Sequence, residues 1–188
     1  MMNVTLNNGL SMPQLGYGVF KVEDGNVTVE AVKKAIEVGY RLIDTAAIYQ
    51  NEKGVGQGIK EASVAREELF VTTKVWNADQ GYEETLKAFD ESLEKLGLDY
   101  VDLYLVHWPM PKVDKYVDTY RALEKLYEDG KVKAIGVCNF NIDHLERLLS
   151  ECKVKPVVNQ VELHPYFSQP ELREFCEKHD IYVEAWGH

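Results

Sequence analysis

Short β-rich runs alternate with polar stretches of helical periodicity from residue 15 onward, and this alternation restricts the fold more than any other feature. Helices are predicted at 28–38, 51–62, 82–96, 116–128, from about 143 onward, and at 170–179. The β-rich runs are 15–20, a run ending at 44, then 69–75, 101–107, 132–137, 157–163 and 181–186. Strands that alternate with helices form right-handed βαβ units around a parallel sheet. No linker interrupts the pattern, so residues 1–188 are expected to form a single α/β domain.

Such a sheet can stay open or close into a barrel, and the glycine pattern separates the two. An open doubly wound sheet normally carries a glycine-rich phosphate turn after its first strand, but Gly16-Tyr-Gly18 lacks the third glycine. The glycines at 54, 56 and 58 lie inside a predicted helix, where helix packing is the expected role. The missing glycine counts against the open sheet, and a β-hairpin at 3–12 whose turn is Asn7-Asn-Gly9 precedes the alternating part.

The charge and the cysteines of the chain argue against several classes of partner. The formal net charge is -10 and the isoelectric point is near 5.0, whereas nucleic acids and anionic membranes are bound by clustered Lys and Arg. The amino terminus does not read as a signal peptide, and no segment is apolar over the roughly 18 residues of a membrane span. Cys138, Cys152 and Cys176 fit neither a disulfide framework nor a zinc site. We expect a cytoplasmic protein without nucleic-acid, membrane or metal partners.

Ionisable residues stand at or just after the ends of three successive β-rich runs: Asp44, Tyr49, Lys74 and His107. Because the carboxyl ends of barrel strands meet at one face, we expect these side chains to converge. Tyr49 can act as a general acid if a cation lowers its pKa from the ordinary value of about 10, and Lys74 is the candidate cation. Asp44 would keep the lysine charged in a low-dielectric cleft, and a neutral His107 would orient a substrate carbonyl. Together they predict a proton-handling site.

Two long motifs in the chain resemble those of the aldo-keto reductases. They are Arg41-Leu-Ile-Asp-Thr-Ala-Ala-Ile-Tyr-Gln-Asn-Glu52 and Leu98-Asp-Tyr-Val-Asp-Leu-Tyr-Leu-Val-His-Trp-Pro109, and the resemblance extends over the whole chain. It implies a (β/α)8 TIM barrel that uses NADPH, or NADH, to reduce aldehydes or small ketones to alcohols. It also makes the four ionisable residues a catalytic tetrad with Tyr49 as the proton donor.

The same resemblance implies residues for the cofactor and the substrate. Asn139 and Gln160 would contact the nicotinamide amide, Cys138 stands where a serine is commoner, and Trp186 would stack under the nicotinamide ring. Three aromatic residues would form the walls of the substrate pocket, and these are Phe20, Trp76 and Trp108. An apolar pocket with few polar groups suits aldehydes and small ketones. His164 is expected to be structural.

The length of the chain departs from the pattern of the family. A TIM barrel takes about 250 residues, with roughly 200 as the lower end. The chain has 188, so we expect a barrel that lacks its eighth β/α unit and the basic segment for the adenosine phosphate. An intact form is expected to be a monomer, whereas the chain itself could self-associate through strand edges. A non-catalytic binding or scaffold role on a reductase fold remains the alternative.

Overall fold

The computed structural model describes residues 2–186, which form nine strands, six α-helices and three short 3-10 helices. The strands are β1 (Asn3–Thr5), β2 (Ser11–Pro13), β3 (Gly16–Gly18), β4 (Leu42–Asp44), β5 (Phe70–Val75), β6 (Val101–Val106), β7 (Val132–Cys138), β8 (Val158–Glu162) and β9 (Tyr182–Trp186). The α-helices are α1 (Asn26–Glu37), α2 (Glu52–Glu61), α3 (Tyr82–Leu96), α4 (Tyr116–Glu128), α5 (Ile142–Glu151) and α6 (Pro170–Lys178). The 3-10 helices are Ala47–Tyr49, Arg66–Glu68 and Asn77–Asp79.

Strands β3 to β9 form one seven-stranded parallel sheet in chain order, and β1 pairs with β2 as a separate antiparallel hairpin. The sheet is strongly curled, as shown by the hydrogen bond of 2.8 Å that the Gln160 side chain on β8 donates to Asp44 on β4. Four strand spacings would separate these strands by about 19 Å in a flat sheet, far beyond hydrogen-bond range. The predicted α/β architecture, a barrel wall of seven strands with an N-terminal hairpin, is confirmed.

The middle of the wall is buried on both of its faces, whereas the edge strands β3 and β9 are partly exposed. All six residues of β5 and all six of β6 are buried, as expected of parallel strands covered by helices on the outside and by side chains within. Helix α3 packs Phe89 and Leu96 into the outer layer, and Gly97 ends the helix in a left-handed conformation. Burying a side chain of this size stabilises the fold by about 1.5 to 3 kcal/mol.

The glycines of α2 serve close helix packing. A Cβ on Gly56 would lie 2.1 Å from the Leu96 carbonyl oxygen at the end of α3, and one on Gly58 would lie 2.7 Å from Val32 Cβ on α1. The expected packing role of these glycines is confirmed, because both sites are too crowded even for alanine.

The hairpin closes the amino-terminal end of the sheet. Leu6 and Met12 are buried in a cluster that includes the first residues of β4, β5 and β8. The Asn7 amide donates hydrogen bonds to the carbonyl oxygens of Pro156, 3.0 Å away, and Asp180, 3.1 Å away, just before β8 and β9. Side chains at the carboxyl-terminal end of the sheet are therefore the ones that can reach a ligand.

The predicted helices and strands agree with the structure to within about two residues at most ends. The three 3-10 helices were not predicted, since one turn of helix has too few residues to show a period. Within residues 2–186, no helix combines the length and the apolar character that crossing a bilayer demands.

Candidate active site

The four predicted ionisable residues converge at the carboxyl-terminal end of the sheet. The Lys74 ammonium on β5 contacts the Asp44 carboxylate on β4 and donates a hydrogen bond of 3.0 Å to the carbonyl oxygen of Thr45. The same ammonium lies 3.5 Å from the Tyr49 hydroxyl. The ring centres of Tyr49 and His107 are 6.0 Å apart, edge to face. The arrangement brings a carboxylate, an ammonium, a phenol and an imidazole into one cleft.

Lys74 is a buried cation, only 1% exposed. Burial acts to lower the pKa of its ammonium, but the Asp44 carboxylate, followed by Tyr49, outweighs that effect and raises the pKa. The lysine is therefore a fixed positive charge beside the phenol.

Tyr49 occupies the end of the 3-10 helix Ala47–Tyr49, where Gln50 turns the chain with a φ of 58°. Burial raises the pKa of the Tyr49 hydroxyl above its usual value, Lys74 acts to lower it, and Asp44 acts to raise it. The expectation that Lys74 leaves the phenol with a lowered pKa is therefore wrong for the net shift. The cation does act in the expected direction, but the apolar surroundings have the larger effect.

His107 follows β6, and its backbone N–H donates a hydrogen bond of 3.3 Å to the carbonyl oxygen of Val75. Burial, and then the charge of Lys74, lowers the pKa of His107 to about 3. The imidazole is thus neutral at physiological pH, and its buried Nδ1 has no hydrogen-bond partner within the described residues. Trp76 packs edge to face against it at 5.2 Å between ring centres.

A buried asparagine that the sequence reasoning missed fixes the position of Tyr49. The Thr45 hydroxyl donates a hydrogen bond of 2.7 Å to the Asn51 side-chain oxygen. The Asn51 amide in turn donates to the carbonyl oxygens of Val19, at 2.9 Å, and Val22, at 3.0 Å. Asn51 is fully buried, so these bonds tie the turn that carries the phenol to the loop after β3.

Asn139 and Trp186, two of the predicted nicotinamide ligands, are hydrogen-bonded to each other. Asn139 has a φ of 60°, a left-handed conformation that asparagine tolerates better than most residues. Its amide nitrogen donates a 3.0 Å bond to the carbonyl oxygen of His107, and its side-chain oxygen accepts a 3.1 Å bond from Trp186 Nε1. The predicted cofactor residues therefore lie beside the predicted catalytic histidine.

Gln160 lies between two carboxylates, one of which the sequence reasoning missed. Its amide nitrogen donates to Asp44 Oδ2 at 2.8 Å and to Glu184 Oε1 on β9. Its carbonyl oxygen accepts no hydrogen bond within residues 2–186. Cys138, at the end of β7, is 1% exposed, and burial raises the pKa of its thiol well above the usual value. Glu184 could have been suspected only as a carboxylate in an otherwise apolar strand.

The three predicted pocket aromatics lie at the rim. Phe20 is 51% exposed with its ring centre 5.2 Å from that of Tyr49, and Trp108 is 39% exposed. Trp76, the third of these residues, packs against the ring of His107. His164 pairs with Phe167 in a turn and contacts Glu162 at 3.2 Å, in keeping with the structural role expected of it. The part of the chain that the structure describes contains no cluster of three or more metal-ligating side chains.

Known proteins are similar to this chain over nearly its whole length. The model of the Aldo/keto reductase family matches residues 14–188. Glyoxal reductase of Bacillus subtilis is 64% identical over 184 residues, which are 98% of this chain and 66% of that protein. The 9,11-endoperoxide prostaglandin H2 reductase of Trypanosoma cruzi is 63% identical, with 98% and 64% covered. Methylglyoxal reductase DkgA of Escherichia coli K12 is 51% identical, with 98% and 66% covered. The chain thus spans just under two thirds of the length of these relatives.

Solved structures show the same similarity. An aldo/keto reductase from Brucella melitensis has a TM-score of 0.96 and 58% identity, covering 98% of this chain and 72% of that one. A Bombyx mori aldo-keto reductase in complex with NADP has a TM-score of 0.92 and 41% identity, covering 99% and 66%.

Proposed function

Since the chain belongs to the aldo/keto reductase family, we propose that the full-length protein reduces aldehydes or small ketones to alcohols, with NADPH or NADH as hydride donor. The observation that carries the proposal is the contact of one buried ammonium, Lys74, with both the Asp44 carboxylate and the Tyr49 hydroxyl. Burying a charge costs several kcal/mol. This cost favours a catalytic role over the alternative of a scaffold, which has no use for a charged group beside a phenol.

The residues at the cleft fit a nicotinamide. The carboxamide of that ring has one acceptor and a donor group. The unbonded carbonyl oxygen of Gln160 complements the donor, and the second amide proton of Asn139 complements the acceptor. Trp186 offers an indole whose orientation is fixed by its bond to Asn139. Cys138 is too buried to present more than its backbone. When bound, the reduced ring supplies a hydride to the carbonyl carbon of the substrate.

In the proposed reaction Tyr49 donates the proton. Its raised pKa keeps the hydroxyl protonated at neutral pH, so the proton is available to the carbonyl oxygen as negative charge develops there. The Lys74 ammonium then stabilises the phenolate that remains. Asp44 holds the ammonium in place through one carboxylate oxygen.

His107 orients the substrate in this scheme. Because its pKa is lowered to about 3, the ring is neutral and donates one N–H without competing as an acid. The Phe20, Trp76 and Trp108 rings supply an apolar rim that suits small carbonyl compounds. The names of two relatives, glyoxal reductase and methylglyoxal reductase, make methylglyoxal a first substrate to test.

The activity is tested by following oxidation of NADPH, and separately NADH, with methylglyoxal and the full-length protein. Tyr49→Phe is expected to reduce turnover by about 10² to 10⁴-fold, the usual contribution of general acid catalysis, while cofactor affinity is unchanged. Tyr82→Phe, at the start of α3 on the outside of the sheet, is the matched control. Turnover by Tyr49→Phe at the parent rate would disprove the assignment of the proton donor.

The single-domain organisation, the cytoplasmic location and the oligomeric state stay predictions of the sequence. The free cysteines of the described chain, Cys138, Cys152 and Cys176, support a reducing compartment. Fractionation of the cells that produce the protein would test the location directly.

A further inference from the structure

Glu184 is a second carboxylate in the cleft, and the proposed mechanism does not use it. It lies on β9 in register with Gln160 on β8, so the two side chains project from the same face of the sheet. The Gln160 amide nitrogen bridges Glu184 Oε1 and Asp44 Oδ2. An amide nitrogen has two protons, and here each is donated in a hydrogen bond to a different carboxylate. The bridge therefore fixes the amide with its carbonyl oxygen turned away from both acids.

The groups that interact with Glu184 are Asp44 on β4, Lys74 on β5, Cys138 on β7 and Gln160 on β8. Burial and then the Asp44 carboxylate raise the pKa of Glu184 to about 7. The raised pKa values of Lys74 and Cys138 keep the ammonium charged and the thiol neutral well above that pH.

Two further groups of the cleft also keep one protonation state near neutral pH. The raised pKa of Tyr49 keeps its phenol protonated, and the pKa of about 3 keeps His107 neutral. A change of pH around 7 therefore alters the charge of the cleft at Glu184.

Glu184 also lies next to the proposed cofactor contacts. Gln160 is bonded to it, and Trp186 is two residues along the same strand, on the same face. The oxidised nicotinamide ring carries a positive charge and the reduced ring is neutral. A carboxylate near the ring therefore discriminates between the two forms, because only one of them gains Coulomb energy from it.

We infer that Glu184 is a positioning residue that orients the Gln160 amide, and that protonation of Glu184 is coupled to the oxidation state of the bound dinucleotide. This inference rests on the proposed function. In its ionised form Glu184 favours the oxidised cofactor, and in its protonated form it removes that preference. Binding of the oxidised ring near neutral pH transfers the Glu184 proton to a solvent water, so the O–H bond of the acid is exchanged for one in water, and no bond of the cofactor changes.

The test compares dissociation constants of NADP⁺ and NADPH with the full-length protein at about pH 6 and pH 8.5, from quenching of tryptophan fluorescence. In the parent, raising the pH is expected to lower the dissociation constant of NADP⁺ relative to that of NADPH by about tenfold. A unit charge at intermediate distance from the ring, with an effective dielectric constant of about 20, has an effect of this size. In Glu184→Gln the ratio is expected to be the same at both pH values and equal to that of the parent at low pH. Glu174→Gln, an exposed residue on α6, makes the same change in net charge and should behave as the parent.

A second measurement needs no variant. Calorimetry in buffers of different ionisation enthalpy should show that NADP⁺ releases about half a proton more than NADPH near pH 7, as expected for one group half-ionised there. Phosphate groups common to both ligands cancel in this difference. Equal proton release, a pH-independent ratio in the parent, or a Glu184→Gln variant that weakens both ligands equally would overturn the inference. Failure of the parent to bind either dinucleotide would overturn the proposed function as well.

Discussion

The Tyr49 hydroxyl lies 3.5 Å from the Lys74 ammonium, at the outer limit of hydrogen-bond range, and burial outweighs this cation in its effect on the phenol. The phenol is therefore a firmly protonated donor whose product state, the phenolate, depends on the lysine.

Lys74→Met is expected to move the alkaline limb of the pH profile of kcat/KM to higher pH. The cation that lowers the pKa of Tyr49 is lost, while burial and Asp44, which raise it, remain. Turnover should fall by about 10²-fold, because the phenolate loses its counter-ion. Lys53→Met, exposed on α2, is the matched control, and an unmoved alkaline limb in a folded Lys74→Met variant would contradict the assignment.

His107→Gln is expected to make the protein less sensitive to acid. The pKa of His107 is about 3 in the folded chain and about 6.5 when unfolded, so between these values only the unfolded chain takes up the proton. Stability linked to the neutral imidazole is complete above pH 6.5 and is lost as the pH falls toward 3. At pH 4.5 the free energy of unfolding of the parent should have fallen by about 2 kcal/mol more than that of the variant. This figure is smaller than the two pKa values alone would give, because His107 is partly exposed and solvent screens its charge.

Urea unfolding at about pH 7 and pH 4.5 measures this difference. His179→Gln, at the end of α6 on the outer side of the sheet, is the control. Equal acid sensitivity of the parent and His107→Gln would show that the imidazole is more accessible to protons than the structure indicates.

Gly56→Ala is expected to destabilise the fold by about 1 to 3 kcal/mol, although alanine is the better helix former. The added Cβ would lie 2.1 Å from the carbonyl oxygen of Leu96, a backbone atom that cannot rotate away. Gln57→Ala, at the next and exposed position of α2, is the control and should change stability by less than about 0.5 kcal/mol. Thermal unfolding of both variants provides the comparison, and a Gly56→Ala variant as stable as the parent would rule out close α2–α3 packing.

The 188-residue chain is expected to self-associate when studied by itself. Within residues 2–186, β3 pairs with β4 alone and β9 pairs with β8 alone, so both edges of the sheet present unpaired backbone groups. Sedimentation velocity over a range of concentrations should detect the association. Tyr182→Lys, which places a charge on the β9 edge, should weaken it, whereas a concentration-independent monomer would contradict the expectation.

The sequence by itself determined the order of helices and strands and the end of the sheet at which the reactive side chains lie. Helical and strand periodicity are properties of neighbouring residues, and parallel βαβ units place every strand end at the same face. Asp44, Lys74 and His107 could therefore be assigned to one cleft before any distance was known.

Only the tertiary structure decided the electrostatics of that cleft. The bridge from Gln160 to Asp44 joins residues 116 positions apart and exists because the sheet curls, which no local pattern encodes. Glu184 was overlooked for the same reason, since a carboxylate on an edge strand becomes part of the site only when β9 meets β8 in this register. The net pKa shift of Tyr49 depends on burial by residues from several elements, and burial is a sum over the folded chain that no single motif contains.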